Sequence, residues 1–355
     1  VRNHLRVGLM SDLYDLNLKD SVRIGDGSFR TLRDYQGRSG LIQAYTQWMH
    51  RFSDDLSLNL GLHYQVFALN QRQSLEPRAG LKYKLSERQS LSAGAGLHNQ
   101  LQPLAIYFLE NDGVRSNEDL NFTRSLHTVL GYDFQAGDNL RLKAEIYHQW
   151  ISQAPVEQQA SAFSLLNFGA DFGFPSVDNL ENTGTGRNYG VELTVEKFFS
   201  KGYYYLLTAS FFDSRYTGSD GVERNSAFNS KRILNVLGGK EFKLGRNSLS
   251  IDAKMTWAGN RRYTPIDLAA SRLAGTTVRI ESQAYSEQFP DYFRADIKTT
   301  FRMNGKRITQ EWSLDLQNVT NHKNIFDQTF SRASGKIETT YQIGLFPVIQ
   351  YRILL

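Results

Sequence analysis

The seven histidines are the first residues to weigh for chemistry, because imidazole is the commonest metal ligand and the usual acid-base group near neutral pH. They stand at His4, His50, His63, His98, His127, His148 and His322. None falls in the H-E-x-x-H spacing that sets two rings and a carboxylate on one helix face around zinc. With no Cys in the chain, thiolate metal ligation, disulfides and thiol redox chemistry are absent as well. No G-x-S-x-G elbow offers a nucleophile. Gly184-Thr185-Gly186 followed by Gly190 misses the G-x-G-x-x-G spacing and leads into an alternating segment, whereas a phosphate loop must open a helix. It is expected to be a loop-to-strand turn. Asp26-Gly27-Ser28 and Asp112-Gly113 carry turn chemistry without a calcium-ligand series. The expectations are therefore no enzyme, no metal and no cofactor.

The residues that do show order are the charges, which recur at every second position. In Leu56 to Val66 the even positions are apolar or aromatic and the odd ones polar or Gly. Ala79, Leu81, Tyr83 and Leu85 alternate with Arg78, Gly80, Lys82 and Lys84; Leu140, Leu142, Ala144 and Ile146 alternate with Arg141, Lys143, Glu145 and Tyr147. The pattern returns as Leu249 to Trp257 around Asp252 and Lys254, and as Phe293 to Phe301 around Arg294, Asp296 and Lys298. Period two puts successive side chains on opposite faces of a strand, so each segment has one greasy and one ionic face. No helical periodicity of comparable length is present.

Composition fits such strands. Of 355 residues, 12% are aromatic, with 18 Tyr and 22 Phe beside 28 Gly and only 7 Pro. No apolar run approaches the roughly 20 residues that a spanning helix needs. The net charge of +5 is spread among carboxylates without a basic block, which argues against a nucleic-acid partner. The chain opens on Val1-Arg2-Asn3-His4, with neither an initiator Met nor an apolar signal core, so the expectation is a segment of a longer precursor.

The joins between segments fall into two classes. Tight turns are predicted at Ser53-Asp54-Asp55, Ser86 to Gln89, Ala136-Gly137-Asp138, Ser200-Lys201-Gly202, Gly245-Arg246-Asn247 and Asn304-Gly305-Lys306. Long polar connections are predicted near Asp20 to Gln36, Leu101 to Asn121, Pro155 to Arg187, Gly218 to Ala227, Arg262 to Gln288 and Asn321 to Thr340, with one short exception near Gln71 to Ser74. Short turns at one end and long loops at the other are the pattern of transmembrane barrels. A soluble sandwich would also alternate, but its strands average about 5 to 6 residues. Here many segments sustain the roughly 9 to 11 that a tilted strand needs to cross hydrocarbon. Aromatic residues such as Phe52, Phe134, Phe198, Phe199 and Tyr203 to Tyr205 fall near segment ends, where head groups lie. The reading is all-β: a transmembrane antiparallel β-barrel of about 14 strands. Its lumen-facing side would carry Arg78, Lys82, Lys84, Arg141, Lys143, Glu145, Asp252, Lys254, Arg294, Asp296 and Lys298. A wall so ionic suits a wide barrel holding water or a folded element.

Three stretches carry a family resemblance. Trp312-Ser313-Leu314-Asp315-Leu316-Gln317-Asn318-Val319-Thr320-Asn321 is similar to the penultimate strand of TonB-dependent receptors, and Tyr341 to Leu355 resembles their closing strand, though it ends in Leu rather than an aromatic. Asn182 to Leu193, with Tyr189-Gly190-Val191-Glu192-Leu193, resembles a mid-barrel strand of that family. The resemblance implies a 22-stranded barrel filled by an N-terminal plug with an energy-coupling box, of which this chain would be the C-terminal portion. It also implies an outer-membrane location and import of a bulky nutrient such as a siderophore, cobalamin, oligosaccharide or peptide. The implied partners are outer-membrane lipid and lipopolysaccharide, the periplasmic protein TonB acting through the plug, and a surface lipoprotein. The alternative is fourteen strands closing by themselves into a passive porin-like channel.

Cargo would meet the long connections first. Phe163, Phe168, Phe172 and Phe174, with Asn179, are expected to be exposed in a polar context, and Arg262, Tyr263, Arg272 and Arg279 suit anionic or glycan cargo. Packing of loop on loop is the competing explanation for the first group, and simple solvation for the second.

Overall fold

The computed structural model describes residues 2–355 apart from Gly25, Asp26, Asp171, Phe172, Phe174 and Pro175. Its strands are β1 (Asn3–Arg23), β2 (Phe29–Arg51), β3 (Leu56–Phe67), β4 (Gln73–Ser86), β5 (Gln89–Gln100), β6 (Thr123–Gly137), β7 (Leu140–Glu157), β8 (Leu180–Ser200), β9 (Tyr203–Thr217), β10 (Glu223–Asn225), β11 (Arg232–Leu244) and β12 (Asn247–Ala258). There follow β13 (Arg262–Tyr263), β14 (Glu287–Gln288), β15 (Tyr292–Asn304), β16 (Thr309–Gln317), β17 (Ile325–Ser331), β18 (Lys336–Tyr341) and β19 (Phe346–Leu354). Two short helices, α1 (Leu104–Tyr107) and α2 (Leu268–Ala274), lie in connections. Fourteen strands follow one hydrogen-bonded order, β1-β2-β3-β4-β5-β6-β7-β8-β9-β11-β12-β15-β16-β19, with β10 added to β9. Every pairing with a described register is antiparallel. Among the described residues no helix is long and apolar enough to cross a membrane.

All six predicted tight turns join consecutive strands. Their chemistry is local. Ser53 Oγ accepts from the amides of Asp55 and Leu56, at 3.2 and 3.1 Å, and so fixes the β2–β3 turn. Lys201 and Gly202 both take positive φ, 54° and 78°, the pair of left-handed residues that a two-residue hairpin matched to strand twist requires.

The chain forms two compact units. The first comprises Val1–Gly131, Ile146–Tyr189 and Asp213–Phe228. In its strands one face stays apolar without being covered: Leu5, Val7, Leu9 and Leu13 of β1 are 64 to 85% exposed. Leu60, Leu62 and Tyr64 of β3, Leu75, Leu81, Tyr83 and Leu85 of β4, and Leu126 and Leu130 of β6 are exposed as well. A sandwich would bury one such row between layers; here even Leu58 and Leu81 remain accessible. Polar side chains hold the other face.

That division changes sides along β1. From Tyr14 onward the even positions become apolar, and Tyr14, Leu16 and Leu18 pack with Tyr35 and Leu41 of β2 and Phe67 of β3. Asp15, Asn17 and Lys19 take over the formerly apolar side. The connection from β5 to β6 covers the new apolar patch with Ile106, Tyr107 and Phe108, all fully buried, along with Leu120 and Phe122. Phe108 stacks on Tyr35 at 4.0 Å and Tyr107 meets Phe67 at 5.0 Å between ring centroids. Burial of each such side chain stabilises by about 1.5–3 kcal/mol. Arg33 Nε donates to the carbonyl of Ala105 at 2.7 Å, and the Glu110 amide donates to the carbonyl of Leu32 at 2.8 Å, so the connection is bonded to the strand backbone as well as packed on it.

The second unit comprises Tyr132–Glu145, Gly190–Phe212 and Asn229–Leu355. Its exposed apolar row includes Val191, Leu193, Ile251, Trp257, Ile297, Trp312, Leu314, Ile349, Tyr351 and Ile353. The connections from β12 to β15 and from β16 to β19 hold small elements: α2 is capped by Asp267 Oδ1, which accepts from the Ala270 amide at 2.9 Å, and ends at Gly275 with φ 68°.

Several boundaries differ from expectation. The region near Asp20 to Gln36 is a continuation of the β1–β2 hairpin, paired through Arg23↔Phe29 with a register shift at Asp20/Ser21. There charged and polar residues interrupt the alternation while Leu32 and Tyr35 still pack inward, and pairing persists, supported by Asp20 with Arg33 at 2.6 Å. Strands β7 and β8 likewise run to Glu157 and start at Leu180, well inside the connection expected from Pro155 to Arg187. The Gly184-Thr185-Gly186 segment is strand, not turn: a Cβ at Gly184 would lie 2.5 Å from Val156 Cγ1 and 2.8 Å from the Ala154 carbonyl oxygen. Its glycines therefore serve close packing. Asp26 of the other expected turn lies outside the described residues. The short join occupies residues 68–72, where Asn70 Nδ2 donates to the carbonyls of Glu118 and Leu120. Tyr341 ends β18, which pairs with β17, and the last strand begins at Phe346.

Candidate functional site

On the polar face of the second unit, the register sets opposite charges side by side. Asp252 stands across from Lys298, which in turn faces Asp315; Lys254 stands across from Asp296; Arg302 faces Glu311, which faces Arg352. These side chains, with Ser250, Thr300, Ser313 and Gln350, line a polar cavity of about 470 Å³. Glu311 is the least exposed of the acids here, contacting Arg302 at 2.5 Å and Arg352 at 3.6 Å. Arg294 Nε donates to Asp296 Oδ1 at 2.7 Å, and the Asn318 amide donates to the same oxygen at 2.8 Å, fixing the β16 end. Of the predicted wall residues, Asp252, Lys254, Asp296 and Lys298 are brought together in this cavity and Arg294 adjoins it through Asp296. In the same unit Arg141 is bonded to Asp133 and lies 3.8 Å from Glu196, and Lys143 donates to Glu145 at 2.6 Å.

The first unit has its own polar wall. A cavity of about 670 Å³ is lined by Gln43, Tyr45, Gln47, Asn59, His63, Gln65, Glu76, Arg78 and Asn99 among others. Glu76 is its centre and is almost fully buried. Its carboxylate accepts from Gln65 Nε2 and the Asn99 amide, both at 3.0 Å, from Ser74 Oγ at 3.2 Å, and from Arg78 at 2.5 Å, with His63 Nδ1 at 3.1 Å. A buried carboxylate with this many donors has its oxygens satisfied by the wall around it. Beside it, His98 and His127 stand 4.5 Å apart between ring centroids, in a smaller pocket of about 370 Å³ with Arg78, Tyr147 and Gln149. Arg78 was expected on this wall; Lys82 and Lys84 continue its row toward the β4–β5 turn and are exposed. The sequence places His98 and His127 on the lumen wall or in an interfacial girdle, whereas Glu76 was missed. The row Ser74, Glu76, Arg78 was the available signal, masked by Pro77 within it.

The connection residues are engaged with their own and neighbouring connections. Phe163 and Phe168 pack, partly buried, against the core around Tyr107, Leu165 and Leu180, while Phe172 and Phe174 lie outside the described residues. Asn179 is exposed, takes φ 53°, and its amide donates to Ser116 Oγ at 2.8 Å. Arg262 donates to the carbonyls of Asn229 and Ser286, both at 3.2 Å. Arg272 donates to the carbonyl of Gly335 at 3.0 Å, and Arg279 to that of Thr264 at 3.0 Å while lying 3.9 Å from Asp327. Tyr263 stacks on Phe289 at 4.1 Å; burial, then the charge of Glu287, pushes its phenol above the usual range. Arg261 joins this group, donating to Asp327 Oδ1 at 2.9 Å and to the carbonyl of Phe326 at 2.6 Å. The two connections of the second unit are thus tied together by arginines, and a ligand could meet only the remaining donors of each guanidinium. Among the described residues no group of three His, Cys, Asp or Glu is placed to hold a metal ion.

Solved structures share this architecture. The chain is similar to the ferric-catecholate import receptor Fiu from E. coli K12, at 12% identity and TM-score 0.64, over 93% of this chain and 47% of that one. It is similar to the outer membrane transporter YddB from Escherichia coli, at 12% identity and TM-score 0.64, over 98% and 50%. The ferric yersiniabactin uptake receptor FyuA from Yersinia pestis matches at 11% identity and TM-score 0.62, over 99% and 50%. At such identities the likeness concerns the fold, and the chain spans about half the length of each. No curated protein sequence matches it. The family model described as TonB dependent receptor-like, beta-barrel matches residues 4–321, and the chain belongs to that family.

Proposed function

We propose that the chain is the C-terminal part of an outer-membrane receptor that imports a bulky nutrient by energy-coupled transport. The observation that supports this most is the two-solvent sheet: an exposed apolar row on one side and a paired ionic row on the other. On β1 the uncovered apolar side runs from Leu5 to Leu13. Eight steps at about 3.3 Å make roughly 26 Å of strand. A tilt of about 45° projects this to roughly 19 Å, within the apolar band of about 25 Å that such barrels present to lipid. At its lower limit Trp48, His50 and Phe52 form a contiguous aromatic group, and Trp48 Nε1 donates to Asn3 Oδ1 at 3.3 Å, as expected of a girdle at the head groups.

On this reading lipid, including lipopolysaccharide around the long connections, touches the apolar face, and the ionic face lines the lumen. The lumen-facing set is then Arg78, Lys82, Lys84, Arg141, Lys143, Glu145, Asp252, Lys254, Arg294, Asp296 and Lys298, with Glu76 and Glu311 added. Lipid forces every backbone donor and acceptor to be paired, so β1 and β19, at the two ends of the strand order, need neighbours. Further strands and a plug in a longer protein would supply them, and the plug would carry the contact to TonB. Cargo would be captured by Asn179, Arg262, Tyr263, Arg272, Arg279 and the phenylalanines of the β7–β8 connection, with a surface lipoprotein as a further partner. Relatives named for ferric-catecholate and ferric yersiniabactin uptake favour an iron chelate within the class of siderophore, cobalamin, oligosaccharide or peptide.

The test is uptake of labelled ferric siderophores by iron-restricted cells carrying or lacking the intact gene, with and without TonB. Uptake that needs both is expected. Uptake that persists without TonB would replace this reading with a passive channel, and identical uptake in gene-less cells would remove the function.

A further inference from the structure

In the second unit two lysines occupy the apolar face where the alternation calls for hydrocarbon. Lys197 follows Tyr189, Val191, Leu193 and Val195 on that row of β8, and Lys240 lies between Gly238 and Phe242 on β11, directly opposite Tyr203 and Ile251. Lys197 Nζ stands 4.5 Å over the centre of the Tyr203 ring; it donates to the Phe198 carbonyl at 3.0 Å and to Ser200 Oγ. Lys240 Nζ stands 5.1 Å over the Phe242 ring. Lys197 thus caps one exposed phenol and Lys240 is its cross-strand neighbour on the same face, with Phe199 and Phe242 exposed beside them.

The carboxylates that share this side, Glu181 and Asp213, lie at the far ends of β8 and β9 by the long connections, where Asp213 accepts from the Tyr189 hydroxyl at 3.4 Å. Glu192, Glu196, Glu241 and Asp252 belong to the polar row, where Glu196 faces Arg141 and Asp252 accepts from the Tyr204 hydroxyl at 2.8 Å. Among the described residues neither lysine stands in an ion pair. Lys240 is four residues from the end of β11 at Leu244. That is about 13 Å of strand and, at the tilt used above, about 9 Å of depth, shallow enough for the long stem to carry its charge to the interface.

Resting on the membrane reading above, we propose that Lys197, Tyr203 and Lys240 form a binding site for an anionic glycerophospholipid in the leaflet at the short-turn end. The phosphodiester lies between the two ammonium groups, the Tyr203 hydroxyl donates to one of its oxygens, and the acyl chains follow Val236, Leu207 and Ile251. A zwitterionic lipid brings its own cation to the same place and is repelled. Lipopolysaccharide phosphates belong to the opposite leaflet, by the long connections. Near a membrane surface each basic residue contributes about 1 kcal/mol, about fivefold in affinity, so the pair is worth roughly thirtyfold.

The protein is purified from outer membranes in nonionic detergent, and its thermal midpoint is titrated with phosphatidylglycerol, phosphatidylcholine, lipopolysaccharide and inorganic phosphate. A saturable rise with phosphatidylglycerol alone is expected. The response should weaken about fivefold in K197Q or K240Q and roughly thirtyfold in the double variant, and should persist in K243Q/K336Q, which removes the same charge elsewhere. Equal responses to phosphatidylglycerol and phosphatidylcholine, to inorganic phosphate or to lipopolysaccharide would overturn the site, as would equal losses in the two double variants. Gel mobility before and after boiling is read on the same samples. An intact heat-dependent shift without a lipid response sinks this proposal alone; loss of the shift in the parent protein sinks the membrane reading.

Discussion

Replacing Leu9 and, separately, its neighbour Met10 with Arg places the same charge on opposite faces of β1. Leu9 lies midway between Leu5 and Leu13 on the uncovered apolar row and is 75% exposed. By the strand geometry above it is about 9 Å from either limit of the apolar band, close to its middle. An Arg there should cost about 2–4 kcal/mol, the range for a cation at mid-membrane on a barrel wall. That corresponds to a roughly thirtyfold to nearly thousandfold loss in the folding equilibrium. Met10 is 46% exposed and lines the polar cavity with Gln43, Gln47 and Arg78. Arg at this position meets water and amide groups, so its cost should stay below about 0.5 kcal/mol. Urea titration of the protein folded into phosphatidylcholine vesicles, followed by tryptophan fluorescence and by gel mobility, measures both. Equal costs, or a larger cost at Met10, would refute the assignment of the faces.

Tyr107→Ala empties the centre of the patch above the polar wall and should cost about 3–5 kcal/mol locally; limited proteolysis should then cut within residues 101–122 while the heat-dependent gel shift persists. Gly184→Ala forces a Cβ to 2.5 Å from Val156 Cγ1, and a loss of about 1–3 kcal/mol is expected in the urea midpoint. Asp220 accepts from Arg224 at 2.6 and 2.9 Å, chiefly this bond holding its carboxyl below the usual range. Since the folded value is depressed, the stabilisation is present above about pH 4 and is lost as pH falls through that folded value. Hydrogen exchange at Val222, whose amide donates to Asp220 at 3.0 Å, should accelerate on acidification below pH 4, and D220N should show the faster exchange at neutral pH with no such acid step.

The alternation in Leu56 to Val66 or Leu249 to Trp257 reveals strands because each face there meets a single solvent for many residues. Between Asp15 and Arg33 it fails: both faces are polar or the apolar side has moved, and only long-range pairing with a bulge at Asp20/Ser21 keeps the hairpin straight on. The tight turns were readable because Ser53, Lys201-Gly202 and Gly245 carry their geometry locally. Glu76 was not, since its burial depends on Gln65 and Asn99 from neighbouring strands. Arg262, Arg272 and Arg279 looked like solvent-facing cations, yet each reaches a backbone carbonyl, Arg272 that of another connection and Arg279 one fifteen residues back in its own. Nothing in their spacing encodes those acceptors.

The crossover on β1, where greasy side chains leave the odd positions after Leu13 and take the even ones from Tyr14, restricts how such a strand can change length in evolution. Insertion of a single residue below the crossover would rotate Arg6 or Asp12 into hydrocarbon, so length there can vary only in pairs. Toward the tip, where Ser21 to Arg23 and Phe29 to Thr31 are exposed on both faces, odd-numbered insertions carry no such penalty. Diversity among descendants should therefore pile up in the projecting tip and stay quantised in the wall beneath it.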